Sequence, residues 1–311
     1  MHRVRLVARP IQPLIDALQL WLRADGLRMS AAMSFYGILS LAPLLLLLVG
    51  LVGWWVDRSY VEQTLLSQVQ DVMGERGAQV VQAALSSAQK PAEGGLASLF
   101  GFVLLLSGAT GVFVELQASL EKLWRMGMDD APAPRAAWWR MATLRLRGLA
   151  YVMALGFLLM VSMVLSTAVH MLTTWAGSML PVVPLAPLVG LINEGVAFGI
   201  AVLLFVGLMR IGSGPKPTLR YLVLGAVVGA TLFTLGKQGL AWYLSTAAVV
   251  SAYGAAGSIV VLLMWIYFSS AILLFAAACA KAVCDARTRA DGLTGAQRAR
   301  NAAPAHAGEN I

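Results

Sequence analysis

Six stretches of this chain stay apolar for about the 20 residues a helix needs to cross a bilayer, and no other feature limits its fold so strongly. They fall at 35–56, 97–117, 149–175, 187–209, 219–243 and 256–280. A backbone in hydrocarbon must satisfy its own hydrogen bonds, so segments of this length are expected to be helices. Composition agrees: 12% of the residues are charged and 59% are hydrophobic, about half the charge of an ordinary water-facing globule. These figures exclude a soluble domain pair, a disordered chain and a coiled coil. The first stretch contains LSLAPLLLLLVGLVGWWV, which starts too late and runs too long for a secretory signal. It is read as a retained helix.

Sorting the basic residues gives an orientation. Of 23 Lys and Arg residues, 19 fall in the N-terminal segment, the two even-numbered connections and the C-terminal tail. Arg58, Arg76 and Lys90 fall on the opposite side, and Lys237 lies within a helix. That asymmetry puts both termini in the cytoplasm. Trp54, Trp55, Trp175, Trp242 and Tyr243 then mark outer helix ends, as an aromatic belt requires. The net charge of +8 is accounted for by topology and by contact with anionic headgroups, so no nucleic-acid partner is expected.

The long outer connection, 57–96, carries two helical stripes. Val61, Leu65, Val69, Val72 and Met73 form the first; after Gly74, Val80, Val81, Ala84 and Leu85 form the second. A helical hairpin on the outer surface or capping the bundle is expected. The fold class is therefore all-α, a polytopic membrane protein of six transmembrane helices with cytoplasmic termini. Its parts are a basic cytoplasmic segment 1–34, the membrane domain 35–282 and a mobile cytoplasmic tail 283–311. Residues 138–147 read as an interfacial amphipathic helix. Cys279 and Cys284 stand about 140° apart on a helical wheel, so they are read as packing residues rather than a disulfide or metal pair.

Polar groups inside apolar helices carry the functional signal, because a charge near the bilayer centre costs about 2.5–3.5 kcal/mol even on insertion scales. Glu194, Lys237 and His170, from three helices, each fall about 8–10 Å below the outer surface at 1.5 Å per residue, with Asn193 beside Glu194. Two readings stay open. One is a site for an anionic or amphiphilic headgroup or for proton relay. The other is a structural Glu194–Lys237 ion pair, or side chains that snorkel to the interface. Gly195-x-x-x-Gly199 and Gly225-x-x-x-Gly229 have the spacing of close helix contacts. The three histidines, His2, His170 and His306, form no ligand pair, so no metal, cofactor or catalytic residue is expected.

Four local patterns resemble the YihY/BrkB family of bacterial inner-membrane proteins. They are AAMSFYGILSLAPL at 31–44, with Tyr36, Ser40 and Pro43, and LEKLWR at 120–125, with Trp124. LGAVVGATLFTLGKQGLAWYL at 224–244 carries Gly236, Lys237 and Tyr243. YGAAGSIVVLLMWIYFSSAILL at 253–274 carries Tyr253, Gly254, Trp265 and Tyr267. The chain departs from the family pattern at Glu121, where the family has asparagine, and at Ala277, where it has glutamate. The resemblance implies a multi-pass protein of the inner membrane. Members have carried a ribonuclease BN label, widely regarded as mistaken, while others are described as virulence factors or suspected transporters of lipid or envelope material. Transport or binding of an envelope lipid is the leading expectation. A non-transporting scaffold is the alternative, and tRNA processing a third.

Overall fold

The computed structural model describes residues 12–52, 57–88, 111–127, 186–211, 216–246 and 257–302. Among them no strand occurs, in keeping with the all-α expectation. The helices are α1 (Gln12–Arg23), α2 (Gly26–Val52), α3 (Arg58–Ala88), α4 (111–125), α5 (Ala186–Ile211), α6 (Leu219–Thr246) and α7 (Gly257–Ala302). Within the described residues, α5, α6 and α7 are long and apolar enough to cross a membrane. The limits of α5 and α6 follow the sequence-derived stretches 187–209 and 219–243 closely, and α7 starts one residue after the expected 256 but runs well past 280. The expected spans at 97–117 and 149–175 fall wholly or largely outside the described residues.

α7 is the hub, packing against α6, α2, α1 and α3. Its run Ala276-Ala277-Ala278-Cys279-Ala280 is buried on every side. Small side chains there let neighbouring backbones approach, the usual source of affinity between helices in lipid. A Cβ added at Gly225 of α6 would run into the carbonyl oxygen of Ala276 and lie 2.9 Å from the Ala280 Cβ. One added at Gly229 would lie 2.7 Å from the Phe205 ring of α5 and 2.8 Å from the Ala276 Cβ. α5 thus joins the bundle through α6, against which it packs far more than against α7.

The ends of the chain are more helical than the sequence suggests. Residues 12–23, within the segment expected to be a basic tail, form α1. Its Ala17 is buried, and its Trp21 ring meets the Phe275 ring of α7 edge-on at 6.1 Å. Leu14, Ile15, Leu18 and Leu22 stay exposed on the other side. Asp25 turns the chain with φ 62°, a left-handed conformation that Asp adopts more readily than most residues. α2 then starts at Gly26 rather than at 35, because Arg28 and the serines at 30 and 34 dilute the hydropathy without breaking the helix. Those serine hydroxyls bond back to the Gly26 and Ala31 carbonyls at 2.7 and 2.8 Å. At the other end, the tail expected to be mobile from 283 is helical as far as Ala302, as an unbroken extension of α7.

α3 is capped by Asp57, whose Oδ1 accepts from the backbone N–H groups of Ser59 and Tyr60 at 2.9 and 3.3 Å. With the Ser59 hydroxyl, which also donates to it, these bonds hold the Asp57 carboxyl below the usual carboxylate range. The helix breaks at Gly74, whose φ of 76° and ψ of 175° are essentially reserved for glycine. Val61 of the first arm and Val81 and Leu85 of the second pack in one cluster with Leu45 and Val49 of α2. A straight helix would separate Val61 from Leu85 by about 36 Å. The two arms therefore fold back on each other, and Val61, Leu65 and Val69 of the first stripe and Val81, Ala84 and Leu85 of the second pack in the cluster with α2.

Candidate functional site

Among the described residues, two polar regions bear on function. The first is the pair anticipated on α5 and α6. Phe205, near the end of α5, packs at Gly229, in the first half of α6, and the short link between the helices makes them antiparallel neighbours. Extending that register places Glu194 and Lys237 within about one helical turn of the same level. Glu194 is exposed and Lys237 half-buried. The ion pairs among the described residues do not include Glu194 with Lys237. Asn193 is helical within α5, and His170 lies outside the described residues.

The glycines around this pair divide in two. Gly225 and Gly229 make the close contacts their spacing anticipates. Gly195 and Gly199 face nothing within 4 Å among the described residues, and both are exposed. Among the described residues, that α5 motif therefore makes no close helix contact and leaves its glycine face beside Glu194 uncovered. Gly236, the residue before Lys237, is covered by the Phe268 ring of α7, which a Cβ would strike. Phe233 bridges Phe205 and Trp265, edge to face, at 6.2 and 6.1 Å. An aromatic column thus braces the helix that carries Lys237.

The second region, which sequence reasoning did not assemble, lies between the start of α2 and the end of α4. Arg28, Met29 and Ala32 face Glu115, Ala118, Ser119 and Lys122 across a cleft of about 300 Å³. The α4 residues recur at i, i+4 and i+7, which puts them on one face. Asp25, in the turn between α1 and α2, clasps it: its Oδ2 accepts from Arg28 at 2.7 Å and from Lys122 at 3.0 Å. The Lys122 hydrogen bond first, then the Arg28 charge, hold the Asp25 carboxyl below the usual range. Ser119 is 2% exposed, and its hydroxyl has no hydrogen-bond partner among the described residues. The only trace of the cleft in the sequence is Glu115, a lone carboxylate in an apolar helix.

The family-pattern residues are mostly scaffold. Trp124 and Ser40 are buried, the Ser40 hydroxyl donating to the Tyr36 carbonyl, while the Tyr36 ring is exposed. Pro43 sits within α2 without ending it. Trp265 is buried, Tyr267 half-buried and Tyr243 exposed. Tyr253 and Gly254 lie outside the described residues. Of the departures, Glu121 pairs with Arg125 at 3.1 Å, and Ala277 is fully buried in the hub.

Comparison with known proteins gives a consistent set of relatives. A membrane protein of Alkalilimnicola ehrlichii named UPF0761 is 25% identical over 271 residues, 86% of this chain and 57% of that protein. Another UPF0761 membrane protein, from Actinobacillus pleuropneumoniae, is 39% identical over 74 residues, 24% of this chain and 27% of its own length. One from Methylibium petroleiphilum is 25% identical over 181 residues, 57% of this chain and 39% of its own. The chain thus spans little more than half of these curated relatives at most. No solved structure matches. The family described as virulence factor BrkB matches residues 17–302, nearly the whole chain. On that match, the protein is a membrane protein of the virulence factor BrkB family.

Proposed function

We propose that the protein crosses the bacterial inner membrane six times, with both termini cytoplasmic, and binds or moves an envelope lipid or amphiphilic solute. Glu194, Lys237, His170 and Asn193 form its polar site near the outer surface. The observation that carries this reading is Lys237, half-buried in an apolar helix at one level with Glu194 yet not ion-paired with it. A purely structural ion pair would close that distance, because an isolated charge in hydrocarbon is expensive. The glycine face beside Glu194, uncovered among the described residues, gives an acyl chain or apolar solute a smooth surface to lie on.

The test is flux of a fluorescent phospholipid through reconstituted vesicles. Lys237→Ala and Glu194→Ala should each slow it by about tenfold, the scale of one lost charge-assisted contact. Wild-type rates in both variants would remove the site assignment. The alternative is a non-transporting scaffold that uses its basic cytoplasmic surface. It would be favoured by absence of flux together with partners that survive purification. No residue is given a catalytic role in either reading, and RNA cleavage by the pure protein is not expected.

A further inference from the structure

The cleft between α2 and α4 has a chemistry of its own. Two cations, Arg28 and Lys122, stand at its mouth, with side chains 76% and 41% exposed. A carboxylate, Glu115, lines the same cleft without an ion pair among the described residues. The Ser119 hydroxyl lines it too, buried and without a hydrogen-bond partner among the described residues. A buried hydroxyl left unsatisfied costs stability in the absence of a ligand. Met29, Ala32 and Ala118 complete the lining with apolar surface. The volume, about 300 Å³, lies at the lower bound of small-ligand sites.

Asp25 shows what the cations accept. The Asp25 oxygen lies within hydrogen-bond distance of both Arg28 and Lys122, so the two cations are close enough for a second oxyanion to bridge them through the N–H groups that Asp25 leaves over. Phosphate monoanions and diesters are recognised in this way, by charge-assisted bonds from Arg and Lys. Glu115, on the same face of α4 as Lys122, adds the opposite requirement. A ligand bearing only negative charge would be repelled by it, whereas one that also bears an ammonium group would pair with it.

We propose that this cleft binds a zwitterionic phosphoethanolamine headgroup, its phosphate on Arg28 and Lys122, its ammonium on Glu115, and the Ser119 hydroxyl donating to a phosphate oxygen. The site is separate from Glu194 and Lys237, and it stands whether or not the protein transports. Phosphoethanolamine reaches it either as the headgroup of a bilayer lipid or as a soluble ester.

The experiment uses the full chain in detergent, with retained lipid counted by native mass spectrometry after incubation with equimolar phosphatidylethanolamine and phosphatidylglycerol. The wild type should retain phosphatidylethanolamine over phosphatidylglycerol by roughly threefold to tenfold. Glu115→Gln should bring that ratio to about one while total phospholipid is kept. Lys122→Met should lower retention of both lipids. Arg28→Gln, at an exposed helix start, gives the same readout if Lys122→Met does not fold, and thermal midpoints check folding in each case. Displacement by millimolar glycerophosphoethanolamine identifies the soluble ester as a ligand, and its failure to displace identifies the lipid; either supports the same chemistry. Equal retention of the two lipids by wild type, or an unchanged ratio in Glu115→Gln, overturns the proposal.

Discussion

Glycines with the same spacing do different work in this bundle, and the difference is measurable one residue at a time. Gly225 faces the backbone of α7, where Ala276 cannot retreat without moving the hub. Gly225→Ala should therefore cost about 1–3 kcal/mol, as overpacked cores do. Gly239 faces nothing within 4 Å among the described residues and is exposed. Gly239→Ala should be neutral or stabilising by about 0.5–1 kcal/mol, through helix propensity alone. Thermal unfolding of the two variants in one detergent compares them, and equal midpoints would contradict the packing described. Spacing shows which helix faces can approach, not which ones do. Lys281 makes a similar point. It is buried in the hub and pairs with Asp285 at 3.2 Å, a contact its i, i+4 spacing permits but hydropathy does not flag.

Among the elements, α3 was the most legible. Its two apolar stripes and the glycine between them were visible in the sequence, because a helix that lies against a partner must repeat its apolar residues every three to four positions. Gly74→Ala should lose about 1–3 kcal/mol from the reversal, since alanine pays for the same backbone conformation with steric strain. Hydrogen exchange over residues 58–88 should rise in that variant, most clearly at Val81 and Leu85. Unchanged protection there would show that the reversal does not depend on glycine. The start of α2 and the end of α7 were less legible. Hydropathy reports where a helix meets lipid, whereas the helix itself continues wherever its backbone bonds do. α1 escaped notice because its buried side is narrow, Ala17 and Trp21 against α7, and its charges, Asp16 and Arg23, resemble those of a solvated tail.

At the scale of the whole molecule, the charge asymmetry makes a sharp topological prediction. A reporter active only in the cytoplasm should work when fused after Ala302, and one active only outside should work when inserted at Arg76 in α3. The reverse pattern would invert the bundle and move the Glu194–Lys237 level to the inner leaflet. The cleft was illegible in the sequence for a different reason: Arg28 and Lys122 are 94 positions apart, and only the packed ends of α2 and α4 bring them together.

The hub also bears on how the protein is made. Chains are synthesised from the N-terminus, so α1, α2 and α6 leave the ribosome before their common partner exists. Until α7 follows, the contact of the Trp21 ring with Phe275 and the contacts of Gly225 with Ala276 and Ala280 cannot form. Assembly of this bundle is therefore a late event, gated by release of the alanine-rich turns near Ala276.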